Sequence, residues 1–323
     1  MNDEISQFIG IDVSKDSLSI FVWGQQGTSL EIKNTEQAIS NWLMNVPAGS
    51  FIGLESTGRY HKLAASMGYN AGMTIFLLQP RDMSNYRRSV TPRSKTDNID
   101  AQVLARFVAM EHKNLRLWKP STKEQEKIDD LLRIRALCSS SRAKLAMAGK
   151  ESPDTSALLD DLAKTFNQTI AQIDKAMAVT IKSITGLTEN YKRLRTVSGI
   201  GKVSGAGIAN ILAHYEFRNA DALIGYVGLD PKPVESGKYR GRRRLSKRGP
   251  SQIRWLLYLA SMAAVKKEAF KPLYKASIDK GLSRTAALCI VARKILRIAY
   301  AIWNKPGAIF DPTKLLKSTP LPA

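Results

Sequence analysis

QFIGIDVSKDSLSIFVWGQQGTSLEIK, residues 7–33, is the stretch that decides the fold. Gln7 to Val13 is an apolar run holding one glycine, and Ser17 to Trp23 alternates apolar with polar residues. Gly24–Gly27 is turn-like, and Thr28 to Lys33 alternates again. Three such runs with turn residues between them read as a β-meander. Thr35 stands where a helix cap belongs, and Ile39, Trp42 and Leu43 recur at helical spacing through Glu36–Asn45. Ser50 to Glu55 reads as a short buried strand, Gly58 to Met67 as a helix, and Met73 to Leu78 as a strand closed by Pro80. Ser84 to Thr96, polar and basic with Arg87, Arg88, Arg93 and Lys95, reads as a loop. Asn98 to Met110 reads as a helix with Ile99, Val103, Leu104 and Phe107 on one stripe. A meander followed by strands alternating with helices predicts a mixed α/β domain over residues 1–118.

Beyond it the pattern is helical. Leu131, Leu132, Ile134, Leu137 and Leu145 mark one helix, and Leu158, Leu159, Leu162, Phe166, Ile170 and Ile173 a second, with Gly149 and Pro153 between them. Residues 119–188 are therefore expected to form a helical hairpin that serves as a coiled-coil dimerisation segment. Residues 189–323 are helical again, apart from the Gly/Pro/Arg-rich Val227–Ser246. Pro250 suits the first position of a helix carrying Ile253, Leu256, Leu257 and Ala260, and a last helix runs from about Ser283 to Asn304. Trp255 and Tyr258 are expected in the core.

Charge separates these parts. The 323 residues hold 49 Lys+Arg and 28 Asp+Glu, a net of +21. Residues 1–118 contain 12 basic and 11 acidic side chains, so positions 119–323 carry +20. Such an excess points to a polyanion, nucleic acid before an acidic membrane surface or an acidic protein. Two cysteines exclude a disulfide framework or a Cys-rich zinc site, and His61, His112 and His214 share no ligand spacing. The most apolar helix, Ala286–Trp303, is broken by Arg293, Lys294 and Arg297, so no membrane span is expected. The start, MNDEISQFIG, is not a signal peptide, and a soluble, intracellular protein is expected.

Four acids stand out in the first domain. Asp12 follows FIGI where the first strand ends, and Glu55 follows FIGL in the same way. Asp97 and Asp100 lie three apart at a helix start, on one face. Each has a plain alternative, as a turn residue, a helix cap or a partner of Arg59. Gathered together, four carboxylates cannot all ionise without a cation. Hard oxygen donors suit Mg²⁺ or Mn²⁺, which stabilise both oxygens of a phosphoryl transfer. The predicted element order is that of the RNase H-like nucleases.

IGIDVSK (9–15), LESTG (54–58) and KTDNIDA (95–101) resemble the acidic motifs of the DEDD transposases of the IS-one-ten insertion-sequence family. GLDPKPVESGKYRGRRRLSKRG (228–249) and VSGIGKVSG (197–205) resemble its C-terminal motifs. The family includes the pilin-gene invertase and the bridge-RNA-guided recombinases. The resemblance implies a RuvC-like RNase H-fold domain, a coiled coil, and a transposase domain with a catalytic serine. It implies that Asp12, Glu55, Asp97 and Asp100 hold Mg²⁺ and that Ser236 becomes covalently joined to DNA. It further implies acids and serine from different protomers, donor and target double-stranded DNA, and a non-coding guide RNA. A homo-oligomer (a dimer, becoming a tetramer at the synapse) in the nucleoid-associated bacterial cytoplasm completes the expectation. Transposition and inversion are equally compatible with these residues; a junction-resolving nuclease and a non-catalytic nucleic-acid binder are the alternatives.

The residues themselves support the serine in part. Gly237 beside Ser236 permits close backbone approach. Lys232, Lys238, Arg240, Arg242, Arg243, Arg244, Lys247, Arg248 and Arg254 surround it with a single acid, Glu235. Arginines grip phosphate bidentately and offset transition-state charge. Ser246 is the rival serine, placed where the family has a structural Ser-Lys pair. Gly199-Ile200-Gly201-Lys202 resembles the hairpin of helix-hairpin-helix DNA binders, with Lys202 as a phosphate contact.

Overall fold

The computed structural model describes residues 6–26, 29–56, 58–90, 97–151, 156–232, 235–236, 239–241 and 243–317, with backbone alone at 97, 98, 156–158, 235, 236, 239, 240, 316 and 317. It divides into two compact units, residues 1–120 and 121–323.

The first unit is built on the meander β1 (Phe8–Val13), β2 (Ser17–Val22) and β3 (Leu30–Lys33). It continues through α1 (Glu36–Leu43), β4 (Phe51–Glu55), α2 (His61–Asn70), β5 (Thr74–Leu78), α3 (Pro80–Val90) and α4 (Asp97–Glu111). The strand order is β3-β2-β1-β4-β5, antiparallel within the meander and parallel across β1, β4 and β5. Thr35 caps α1 as expected, accepting a hydrogen bond from the amide of Ala38.

Period-2 alternation divides β1 and β4 between two cores. Ile9, Ile11, Val13, Ile52 and Leu54 pack with Ile39 and Leu43 of α1 and Ala64 and Ala65 of α2. Phe8 and Phe51 lie on the other side with Val103, Leu104 and Val108 of α4. Gly10 and Gly53 share that second face and are cross-strand partners. A Cβ on Gly10 would lie 2.2 Å from the Ala101 carbonyl oxygen and 2.3 Å from the Ala105 nitrogen, and one on Gly53 2.3 Å from Val108 Cγ2. The paired glycines thus form the trough in which α4 lies.

One expectation is corrected. Residues 84–90 are not loop but the second half of α3, which starts at Pro80, with Asp82 in its first turn and Arg87 and Arg88 in its last. Proline at a first turn and this charge order both favour a helix. Its few apolar residues suffice because Met83 is fully buried and Tyr86 packs edge-on to Phe107 at 4.9 Å. Residues 91–96 lie outside the described residues.

The second unit opens with a long antiparallel-packed pair, α5 (Lys123–Glu151) and α6 (Ser156–Ser183), and α5 runs through Gly149 rather than ending there. Arg135 of α5 ties the two through Nε and Nη2 to both carboxylate oxygens of Asp174, at 2.6 and 3.2 Å. Then follow α7 (Leu187–Leu194), α8 (Lys202–His214), α9 (Ala220–Val227), β6 (Pro231–Lys232), β7 (Glu235–Ser236), β8 (Tyr239–Arg240), β9 (Arg244–Leu245), α10 (Ser251–Ala264), α11 (Lys271–Asp279), α12 (Arg284–Asn304) and α13 (Pro312–Lys317). Ile128 and Leu132 of α5 and Ile173, Met177 and Ile181 of α6 share one core with α8, α10 and α12, so the base of the hairpin belongs to this unit. No helix among the described residues is long and apolar enough to cross a membrane.

Candidate active site

The C-terminal ends of β1 and β4 carry Asp12 and Glu55. Asp12 stands two residues past Gly10 and Glu55 two past Gly53, so both side chains take the α4 face of the sheet. On α4, Asp100 directly precedes Ala101, whose carbonyl sits over Gly10. The fold thus puts Asp12 and Glu55 on the sheet face that α4, with Asp100, covers: parallel strands ending side by side under a helix seated on glycine. Asp100 is only 6% exposed, while Asp12 and Glu55 are half-buried. Asp97 opens α4, but its side chain lies outside the described residues.

Arg87 answers this negative charge. Its Nε lies 2.7 Å from Oδ1 of Asp100, and its Nη2 is 4.0 Å from Oε2 of Glu55. Among the described residues, no three His, Cys, Asp or Glu side chains converge as metal ligands. Carboxylate oxygens are nevertheless the donors a hard divalent cation takes. Glu55 and Asp100 already share a cation in the form of a guanidinium, so the donor set fits. The sequence placed Arg87 in a loop; Pro80 followed by Met83, Tyr86 and Arg87 at helical spacing was the available signal for its position.

In the second unit, Ser236 is the last residue of β7 and pairs across a two-residue connection with Tyr239 of β8. Its side chain and those of Lys238, Arg240 and Arg242 lie outside the described residues. The ribbon returns through β9, where Leu245 and Arg244 pair with Pro231 and Lys232 of β6. Lys232, Arg243, Arg244, Lys247 and Arg248 are exposed. Arg254 is used by the protein itself: one of its terminal nitrogens donates to the carbonyls of Val227, Arg248 and Gly249 at 2.9–3.0 Å. Burial pushes that guanidinium below its ordinary pKa.

Ser246 is 1% exposed, and its hydroxyl donates to the carboxylate of Asp230. It is a fastening within the base of the ribbon. Gly228 and Gly249 tighten the same base, since a Cβ at either would lie within 2.0 Å of a backbone oxygen. Lys202 stands exposed at the start of α8. The turn before it is packed against α10 through Gly199, at φ 94°, whose Cβ would meet the Ala260 carbonyl at 2.3 Å. Trp255, expected in the core, is instead 56% exposed and stacks on Tyr258 with centroids 5.7 Å apart, because α10 turns Ile253, Leu257 and Ala260 inward.

Residues 9–148 match the family model of the IS110-type DEDD transposases, and residues 191–275 match the model described as the transposase IS116/IS110/IS902 family. The chain is 24% identical to the pilin gene-inverting protein of Moraxella lacunata over 93% of its own length and 97% of that protein. The pilin gene-inverting protein of Moraxella bovis gives the same figures. The transposase for insertion sequence element IS1111A of Coxiella burnetii is 23% identical over 93% of this chain and 90% of that protein.

Proposed function

Because the chain belongs to the IS116/IS110/IS902 family of transposases, its two matched regions together spanning most of its length, we propose that it is a site-specific DNA recombinase using Ser236 with an acidic site. The observation that carries this reading is the Gly10/Gly53 trough, which seats α4, with Asp100, on the sheet face that carries Asp12 and Glu55. Asp12, Glu55, Asp100 and, from the resemblance, Asp97 would hold a divalent cation, Mg²⁺ or Mn²⁺. Once bound, that cation supplies positive charge to a phosphoryl group in transfer. Arg87 neutralises Glu55 and Asp100 until then and must give up one of them.

Ser236 attacks the scissile phosphate. The Oγ–P bond forms as the bond to a deoxyribose oxygen breaks, and the serine proton, relayed through a carboxylate of the acidic site, passes to that oxygen, which leaves as a strand hydroxyl. Phosphodiester energy is kept in the serine ester, so a strand hydroxyl reseals the backbone by the reverse step without a nucleotide cofactor. Exposed Arg243, Arg244, Lys247 and Arg248 at the base of the serine ribbon suit contacts to the DNA backbone. Acids of one protomer act with the serine of another, as the resemblance implies. Exposed Leu137 and Met147 of α5 and Leu162 and Val179 of α6 offer the hairpin surface for coiled-coil dimerisation. The guide RNA and the synaptic tetramer rest on the resemblance, and the choice between transposition and inversion rests with the DNA supplied. We place the protein with the bacterial nucleoid.

A denaturing gel of labelled substrate should show a DNA–protein adduct that Ser236→Ala abolishes, and Asp12→Asn should abolish recombination while DNA is still retained. Free nicked ends with no adduct, unchanged in Ser236→Ala, replace this reading with a water-using nuclease.

A further inference from the structure

The second unit holds a groove of about 970 Å³ between α11, α12 and the β6–β9 pair. Leu245, Leu273, Leu282 and Ile290 give it an apolar lining, while Arg243, Arg244, Lys280, Arg293, Lys294 and Arg297 are its ionisable walls together with Cys289. No acid lines it among the described residues. The α12 wall lies beyond residues 191–275, the part matched to the family model.

Helix geometry explains its shape. Leu288, Val291, Ala292, Ile295, Ala299 and Ile302 turn one face of α12 into the core. Cys289, Arg293 and Arg297, spaced four apart, consequently line the groove. Like charges four apart on a helix repel. Arg297 has a counter-ion in Asp221, whose Oδ1 lies 2.7 Å from Nη2. The Arg293 Nε is shut off from solvent and has no hydrogen-bond acceptor among the described residues. Burial and neighbouring Arg297 both push the Arg293 guanidinium below its ordinary pKa. With no acid in the groove lining among the described residues, an oxyanion entering the groove would be drawn to this guanidinium.

We propose that this groove binds a single strand of nucleic acid, with a phosphate on Arg293 and Lys294 and an unstacked base against Leu273, Leu282 and Ile290. The apolar lining decides for a single strand, since a duplex keeps its base faces stacked inside and offers only phosphates to the rim. DNA and RNA share this chemistry. Binding here needs neither the serine nor the acids, so it stands apart from the catalytic reading.

The test uses full-length Ser236→Ala protein and anisotropy with fluorescein-labelled oligothymidylate, oligouridylate and a blunt DNA duplex across a salt series. Arg293→Ala should weaken a single-strand probe about tenfold to a hundredfold. It should also lower the salt slope by about 0.7 for each phosphate no longer neutralised. Lys280→Glu, an exposed change that spares the core, should weaken the same probe. In a Cys138→Ser background, saturating oligonucleotide should block maleimide labelling of Cys289. Tighter binding of oligothymidylate would name DNA as the strand, and of oligouridylate, RNA. Affinity and slope unchanged by both substitutions, Cys289 labelled at the same rate with probe present, or a duplex bound as tightly with the same Arg293 dependence would overturn the proposal. Adduct formation at Ser236 is a separate readout, so failure of either claim is visible on its own.

Discussion

Replacing Gly10 by alanine tests the trough directly. The new Cβ would fall 2.2 Å from the Ala101 oxygen and 2.3 Å from the Ala105 nitrogen. Both are backbone atoms, so no side chain can swing away. Ordinary contact for such atoms is near 3.5 Å, so α4 must retreat by roughly 1 Å at that turn. Overpacking of this kind costs about 1–3 kcal/mol, and a backbone-to-backbone clash belongs at the upper end. For a unit of this size that corresponds to a melting point lower by roughly 10 °C. Because Asp100 adjoins Ala101, the same retreat moves a carboxylate away from Asp12, and about 1 Å of misplacement reduces turnover about a hundredfold. The matched control is Gly53→Ala, whose Cβ would meet a side-chain methyl, Val108 Cγ2, at 2.3 Å. Val108→Ala should restore stability to Gly53→Ala and do nothing for Gly10→Ala. Thermal melts of the four variants, with adduct yield per folded protein, check this. A Gly10→Ala protein that melts with the wild type and keeps its adduct yield would refute the argument.

Arg87→Gln removes the guanidinium beside Glu55 and Asp100, which should destabilise the metal-free protein by up to about 3 kcal/mol. It should also enlarge the rise in melting point on adding Mg²⁺, measured by calorimetry; an equal rise in both proteins would contradict Arg87 as the cation's stand-in. Ser246→Ala leaves the half-buried Asp230 without its hydroxyl donor and should lower stability by about 1–3 kcal/mol while preserving the adduct. Ser236→Ala should do the opposite, and melts run beside adduct gels distinguish the two serines. Burial raises the Cys289 thiol above its ordinary pKa, against the opposing charges of Arg293 and Lys247. Its thiolate should therefore form at higher pH than a free thiol's, and alkylation rates of Cys138→Ser protein should have a midpoint shifted upward; a midpoint at or below the free-thiol value would contradict the burial.

The meander, the two parallel strands and α4 were legible because each has a strong period and one dominant environment. Ile9, Ile11 and Val13 alternate with Phe8, Gly10 and Asp12, and that alternation already assigns Asp12 to a face. What pattern reading missed was polar material facing inward. In α3 the inward residues include Arg87, and an arginine reads as solvent-facing until the acids it meets are known. The groove was hidden for a related reason: Arg293, Lys294 and Arg297 appeared only as interruptions of an apolar run. Their convergence with Arg243 and Arg244 depends on how α12 packs against a distant ribbon. Trp255 was misplaced because aromatic character alone does not say which side of an amphipathic helix faces the core.

The uneven charge follows from this division. Over residues 1–118 the near balance of 12 basic and 11 acidic residues includes a guanidinium placed against Glu55 and Asp100. On the proposed reading such a site would gain from overall neutrality, because a large positive field would compete with a divalent cation for the carboxylates. The second unit has the reverse need. Its groove keeps six basic walls with no acid among the described residues, and Arg254, which could have joined them, is spent on three backbone carbonyls. Acids placed in that groove would satisfy Arg293 internally and remove its attraction for phosphate. Holding metal and gripping phosphate place opposite demands on a surface, and a chain that did both, as proposed, would be served by dividing them between two units.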